Sequence, residues 1–72
     1  MTAYETLANA IVLQAVKDYR RALKRLKKCP DSREARIEAE SLERFFRSHW
    51  YSALTTVDGE YLMSELRKEA LK

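Results

Sequence analysis

Few side chains in this sequence could do covalent or metal chemistry. Cys29 and His49 are the single cysteine and the single histidine among 72 residues. A zinc site needs three or four nitrogen or sulfur ligands, and these two have no companions at ligand spacing, so neither a metal nor another cofactor is expected. His49 beside Trp50 would need an orienting group and a substrate pocket to act as a general base, and its neighbours in the sequence provide neither. Cys29 has basic neighbours that could activate a nucleophile, but no nucleophile motif surrounds it. Gly59 is the only glycine, so no glycine-rich loop is there to cradle a phosphate. The sequence therefore predicts a chain with no catalytic residues that works by binding.

The first binding candidate is a run of positive charge. Residues 17–28 contain Lys17, Arg20, Arg21, Lys24, Arg25, Lys27 and Lys28 against Asp18 alone, although the whole chain has a net charge of only +3. The other 60 residues are thus net acidic, and charge polarised in this way points to an anionic partner. Arginine and lysine at helical spacing can track phosphates or lie along an acidic protein groove. The stripe lacks the Asn, Gln or Ser that usually accompany arginine in a major-groove helix, which argues against direct base readout. A solvated outer face is the plainer explanation, yet seven basic residues with one acid among them exceed what solubility requires. The partner-binding set expected here is Lys17, Arg20, Arg21, Lys24, Arg25 and Lys28.

The second candidate is aromatic. Phe45, Phe46, Trp50 and Tyr51 are four of the seven aromatic residues, within seven positions. A small core needs large side chains, so Phe46 and Trp50 are expected inside. Phe45 and Tyr51 sit nearer the edge and complete the expected partner-binding set as interface anchors. Tyr4, Leu7 and Leu13 are apolar positions on or near the flank of the first helix; they either close a homodimer or are covered by the chain's own N-terminus.

The elements that must position these residues follow from periodicity. No glycine or proline interrupts residues 4–28, where Ala8, Ile11, Val12, Ala15, Val16, Tyr19, Ala22, Leu23 and Leu26 recur at amphipathic helical spacing. At about 100° per residue, Lys17, Arg20, Arg21, Lys24 and Lys28 fall on the opposite side. Such a helix spans roughly 37 Å and is expected to overhang its neighbours. Pro30 ends it, since the residue before a proline disfavours the α region. Asp31 or Ser32 caps a second helix, about 32–47, with Ala35, Ala39, Leu42, Phe45 and Phe46 on one face and Ile37 off it. Glu38, Glu40, Glu43, Arg44 and Arg47 read as its solvated exterior. Ser48 caps a short helix, about 49–55. Asp58 caps the last, about 59–71, with Leu62, Met63, Leu66 and Ala70 inward and Arg67 and Lys68 at its end, where the helix dipole favours them. The expected architecture is all-α: a single domain over 1–72, a small three- to four-helix bundle with a long first helix.

Seventy-two residues approach the size at which burial barely offsets chain entropy. No segment is apolar and long enough to cross a membrane, and a lone cysteine fits a reducing compartment. A cytoplasmic location is expected.

The segment Glu43-Arg44-Phe45-Phe46-Arg47-Ser48-His49-Trp50-Tyr51, with Leu54-Thr55 and Asp58-Gly59-Glu60-Tyr61-Leu62 after it, resembles a group of short proteins from bacteriophages and mobile elements of Gram-positive bacteria. Their shared pattern is a long first helix ending in a basic run, an Asn- or Cys-Pro-Asp turn, and this aromatic segment, so the resemblance covers about residues 8–70. Position 49, histidine here, is often acidic in that pattern. The resemblance implies a phage accessory protein acting in the host cytoplasm. Phage proteins of this size commonly inhibit a host defence, CRISPR-type nucleases among them, by occupying a surface. The function expected is an inhibitor or modulator of a host protein. The alternatives are a nucleic-acid-binding regulator that uses the first helix on phosphates, or a dimerising structural adaptor.

Overall fold

Four residues with short polar side chains start the four helices. In the computed structural model, which describes residues 2–71, Thr2 opens α1 (Ala3–Lys28) with a capping box: its hydroxyl accepts from the Glu5 N–H, and the Glu5 carboxylate accepts from the Thr2 N–H. Cys29 leaves the helical region (φ −138°, ψ 83°) ahead of Pro30 and ends the helix. Of the two caps expected for α2 (Arg33–Phe46), it is Ser32 that accepts from Ala35 N–H. Ser48 caps α3 (His49–Leu54), and Asp58 caps α4 (Gly59–Ala70). These bounds lie within one residue of those expected, and no strand occurs among the described residues. The all-α bundle is the observed fold.

The molecule measures 41 × 22 × 17 Å, its long axis set by α1. The other three helices pack along one side of α1, where alanines let the backbones approach. Ala15, Val16, Tyr19 and Ala22 of α1 meet Ala39 and Phe46 of α2, Tyr51 of α3, and Met63 and Leu66 of α4. Tyr19 and Met63 are the largest side chains wholly out of water. Phe46 stacks edge-on with Tyr19 (centroids 5.6 Å apart) and with Tyr51 (5.5 Å), and Phe45 meets Tyr51 at 5.8 Å. Each such pair contributes about 0.5–1.5 kcal/mol beyond the area it buries.

The aromatic segment departs from expectation. Trp50 is 78 % exposed, while Tyr51 is 2 % exposed. Trp50 stands four residues after Phe46, which would place it on the core face only in an unbroken helix. Instead Ser48 takes extended angles (φ −81°, ψ 161°), accepts from Tyr51 N–H at 3.2 Å, and restarts the helix in a new rotational phase. That reset turns Tyr51 inward and Trp50 outward.

Gly59 is buried against the end of α2. Its φ is not positive, so the need for glycine here is one of space. A Cβ at this position would overlap the carbonyl oxygen of Phe46. The close approach seats the start of α4 on the last turn of α2.

Candidate functional site

The basic face of α1 is organised in three strips. One flank faces α4, where Arg20 Nε pairs with Glu69 at 2.8 Å. The other faces α2: Arg21 pairs with Asp18 at 2.9 Å and with Glu38 at 3.7 Å, and Arg25 pairs with Glu34 at 3.6 Å. Between the flanks run Lys17, Lys24 and Lys28, all exposed and with no ion-pair partner among the described residues. At 1.5 Å per residue this lysine crest extends roughly 16 Å along the helix. The stems of these lysines and arginines wall an open hollow of about 810 Å³ that ends at Glu69 and Ala70.

The six basic residues expected to bind a partner therefore lie on one face, but they differ in role. The three arginines are spent on carboxylates, one of them four residues or fewer away and the others on α2 and α4. Exposed pairs like these contribute at most about 1 kcal/mol each, yet they also neutralise the flanks. Apart from Asp18, the acids that do so (Glu34, Glu38 and Glu69) are distant in sequence, which is why the stripe looks more intensely positive on paper than on the molecule.

The two aromatic members of the expected set do not form an exposed pair. Tyr51 is core, for the reason given above, and its hydroxyl is buried without a hydrogen-bond partner. Burial and the nearby charge of Asp58 both push its pKa up. Phe45 is half-buried; its free edge lines a shallow groove with Ile11 and Leu42. Trp50, expected inside, is instead the exposed aromatic of this corner. An open cleft of about 950 Å³ lies between α3 and the start of α4, beside His49, Ser52 and Asp58. No group of three or more His, Cys, Asp or Glu residues poised to hold a metal occurs among the described residues.

A polar cluster that sequence reasoning missed sits at the margin of the core, where the Tyr19 hydroxyl emerges from it. Tyr19 Oη donates to Glu43 Oε2 at 2.7 Å and accepts from Arg67 Nε at 3.0 Å, while Arg67 Nη2 reaches the same carboxylate oxygen at 3.1 Å. Arg47 lies 3.9 Å from Glu43 and bonds to Glu60 at 2.5 Å. Glu43, expected on a solvated exterior, is instead half-buried and ties α2 to α1 and α4, while Arg47, exposed as expected, adds a surface pair to α4. Burial and the adjacent Glu43 carboxylate push the Tyr19 hydroxyl up to about 12. Partial burial works to raise the Glu43 carboxyl, but the hydrogen bonds from Tyr19 and Arg67 outweigh it and hold the group below the usual carboxylate range. One signal was available: a tyrosine in the middle of an apolar stripe needs a partner for its hydroxyl.

No helix among the described residues is long and apolar enough to cross a membrane. No protein-family model, curated protein or solved structure matches the chain.

Proposed function

We propose that this chain is a stoichiometric binding protein, an inhibitor or modulator of a host protein, which docks through the lysine crest of α1 onto an acidic protein surface. The observation that carries this reading is the division of the basic face: arginines paired along both flanks, with Lys17, Lys24 and Lys28 left between them. Ammonium groups without carboxylate partners keep their attraction for an anion, and a crest three lysines long suits a narrow element such as an acidic helix. A nucleic-acid backbone fits less well. The carboxylates of Asp18, Glu34, Glu38 and Glu69 border the crest on both sides, and phosphates spreading beyond it would meet them. The likeness of the Glu43–Leu62 segment to phage proteins supplies the setting: a phage-derived protein that occupies a surface of a host factor, a CRISPR-type or other defence nuclease being the leading class.

The test is capture on the immobilised chain from nuclease-treated extract of a Gram-positive bacterium. One dominant acidic protein, eluted by salt and lost with Lys17/Lys24/Lys28→Gln but kept with Arg20→Gln, supports the reading. Tight retention of plain duplex DNA at physiological salt, or capture indifferent to the triple substitution, overturns it.

A further inference from the structure

The first half of α1 carries apolar surface that the fold leaves open. Between Ala3 and Ile11 only Ala8 is buried, whereas Tyr4, Leu7 and Ile11 are 62, 61 and 41 % exposed. Their spacing, three and then four residues, sets them in one stripe. Ile11 continues that stripe into the shallow groove beside the free edge of Phe45. Tyr4 Oη donates to the Ala53 carbonyl at 3.2 Å, and the exposed Trp50, one turn before Ala53, borders the same end of the molecule. Leu13 is as exposed as Leu7 (59 %) but lies about 140° round the helix from the stripe.

Charge distinguishes the same segment independently. Residues 6–16 contain no charged side chain on any face, while residues 17–28 contain eight. A helix facing water keeps a charged exterior, and one without it is ordinarily covered. A surface of this kind offers nothing for a charged partner to select, but it matches itself.

We infer that this segment is the contact between two copies of the chain, packed antiparallel about a twofold axis close to Leu7. A twofold contact is isologous: Leu7 meets its counterpart, and Tyr4 of each copy meets Ile11 of the other. Charge sets the direction. Lys24 lies 17 residues beyond Leu7, so antiparallel packing separates the two Lys24 side chains by about 50 Å, far beyond the screening length of ~10 Å at 0.1 M salt. Parallel packing would lay the two basic segments side by side. A stable dimer buries about 800 Å² per partner. Aromatic side chains bury about 150–250 Å² each when fully covered, so Tyr4, 62 % exposed, supplies a large part of that area beside Leu7 and Ile11, with Trp50, 78 % exposed on α3, able to add to it. A second copy also adds apolar burial to a domain near the lower size limit for independent folding. This contact uses a different surface from the lysine crest, and neither depends on the other.

Sedimentation velocity of the full chain, from micromolar to submillimolar concentration, tests it. The mass is expected to rise from one chain to two. Leu7→Lys is expected to remain a single chain throughout, with Leu13→Lys, equally exposed and on the other side, dimerising like the parent. Far-UV circular dichroism of each variant checks that it is folded. In a Cys29→Ser background, Leu7→Cys is expected to be joined by a short bismaleimide and Leu13→Cys to stay uncoupled. A strict monomer at the highest concentration overturns the inference, as does equal disruption by the two lysine substitutions. Co-sedimentation of a monomeric chain with phosphatidylcholine vesicles would assign the patch to a lipid surface instead, and also overturns it.

Discussion

Raising the pH should loosen this fold through Tyr19. In the folded chain the Tyr19 hydroxyl is held up to about 12, against an ordinary value of 10. A raised folded value means that the native state holds the proton more tightly than the unfolded chain. The associated stability is therefore complete below pH 10 and is lost as pH climbs through 12. A displacement of about two units corresponds to about 2.7 kcal/mol. A domain of this length has a total stability of about 4–11 kcal/mol, so the loss is a large share of the whole. Tyr19→Phe removes the ionising group and keeps the ring against Phe46. At neutral pH it also removes a hydrogen bond to a carboxylate, which costs about 1.5–3 kcal/mol. The parent is thus expected to be the more stable chain at pH 8, with its advantage shrinking to nothing or reversing by pH 12. Urea unfolding followed by circular dichroism at intervals between these limits measures both curves. Every other ionisable side chain is common to the two chains, so the difference isolates Tyr19. Parallel curves across that range would refute the reasoning.

Three further outcomes follow from the packing. Gly59→Ala should destabilise the chain even though alanine is the better helix former by about 1 kcal/mol, because its Cβ meets the Phe46 carbonyl; overpacking of this kind costs about 1–3 kcal/mol, and a melting temperature at or above that of the parent would contradict it. Phe46→Ala should cost about 3–5 kcal/mol, whereas Trp50→Ala, at an exposed position, should stay within about 0.5 kcal/mol in dilute solution; Tyr51→Phe, which removes an unpartnered hydroxyl, should leave the denaturation midpoint level or raised. Glu43 is held low in the folded state, so its contribution is present above the unfolded carboxylate value of about 4.3 and is lost as pH falls through the folded one; Glu43→Gln should therefore be less stable than the parent at pH 6, with the gap narrowing towards pH 3 in thermal melts.

What the sequence made legible was local. The four helices follow from period 3.6, one proline and short polar caps at the starts of the last three, all of which act within a few residues; the Thr2 capping box of α1 emerged from the structure. The rotational phase of α3 was not legible, because it depends on how sharply the chain turns at Ser48, and periodicity along the sequence does not give that angle. Glu43 showed the same limit. On its own helix it alternates with other charges, as a solvated residue would. Its partners Tyr19 and Arg67 lie 24 residues away in each direction, and only the packed bundle brings them to one point. The Tyr51 position failed for the reason that Trp50 did, since the two exchange places when the phase shifts.

The basic stripe was legible as a location and misleading as a quantity. Its division between arginine and lysine has a physical logic. A guanidinium presents a planar fork that matches a carboxylate, so arginine is suited to bridging elements. Arg20 and Arg25 reach α4 and α2 in this way. Lysine is a compact, strongly hydrated charge on a flexible stem, and holding it in one geometry gains little. A chain that needed positive charge only for solubility could scatter it over every helix. Here the paired cations lie where α1 meets its neighbours, and the unpaired ones lie where it faces away from them. Exchanging the types, with lysine at 20, 21 and 25 and arginine at 17, 24 and 28, would preserve the formal charge while weakening the clamps. Such a chain should be less stable and yet still attract an anion at low salt. If stability and anion binding instead fell together, the face would be a single cooperative unit, and its separation into clamp and crest would be wrong.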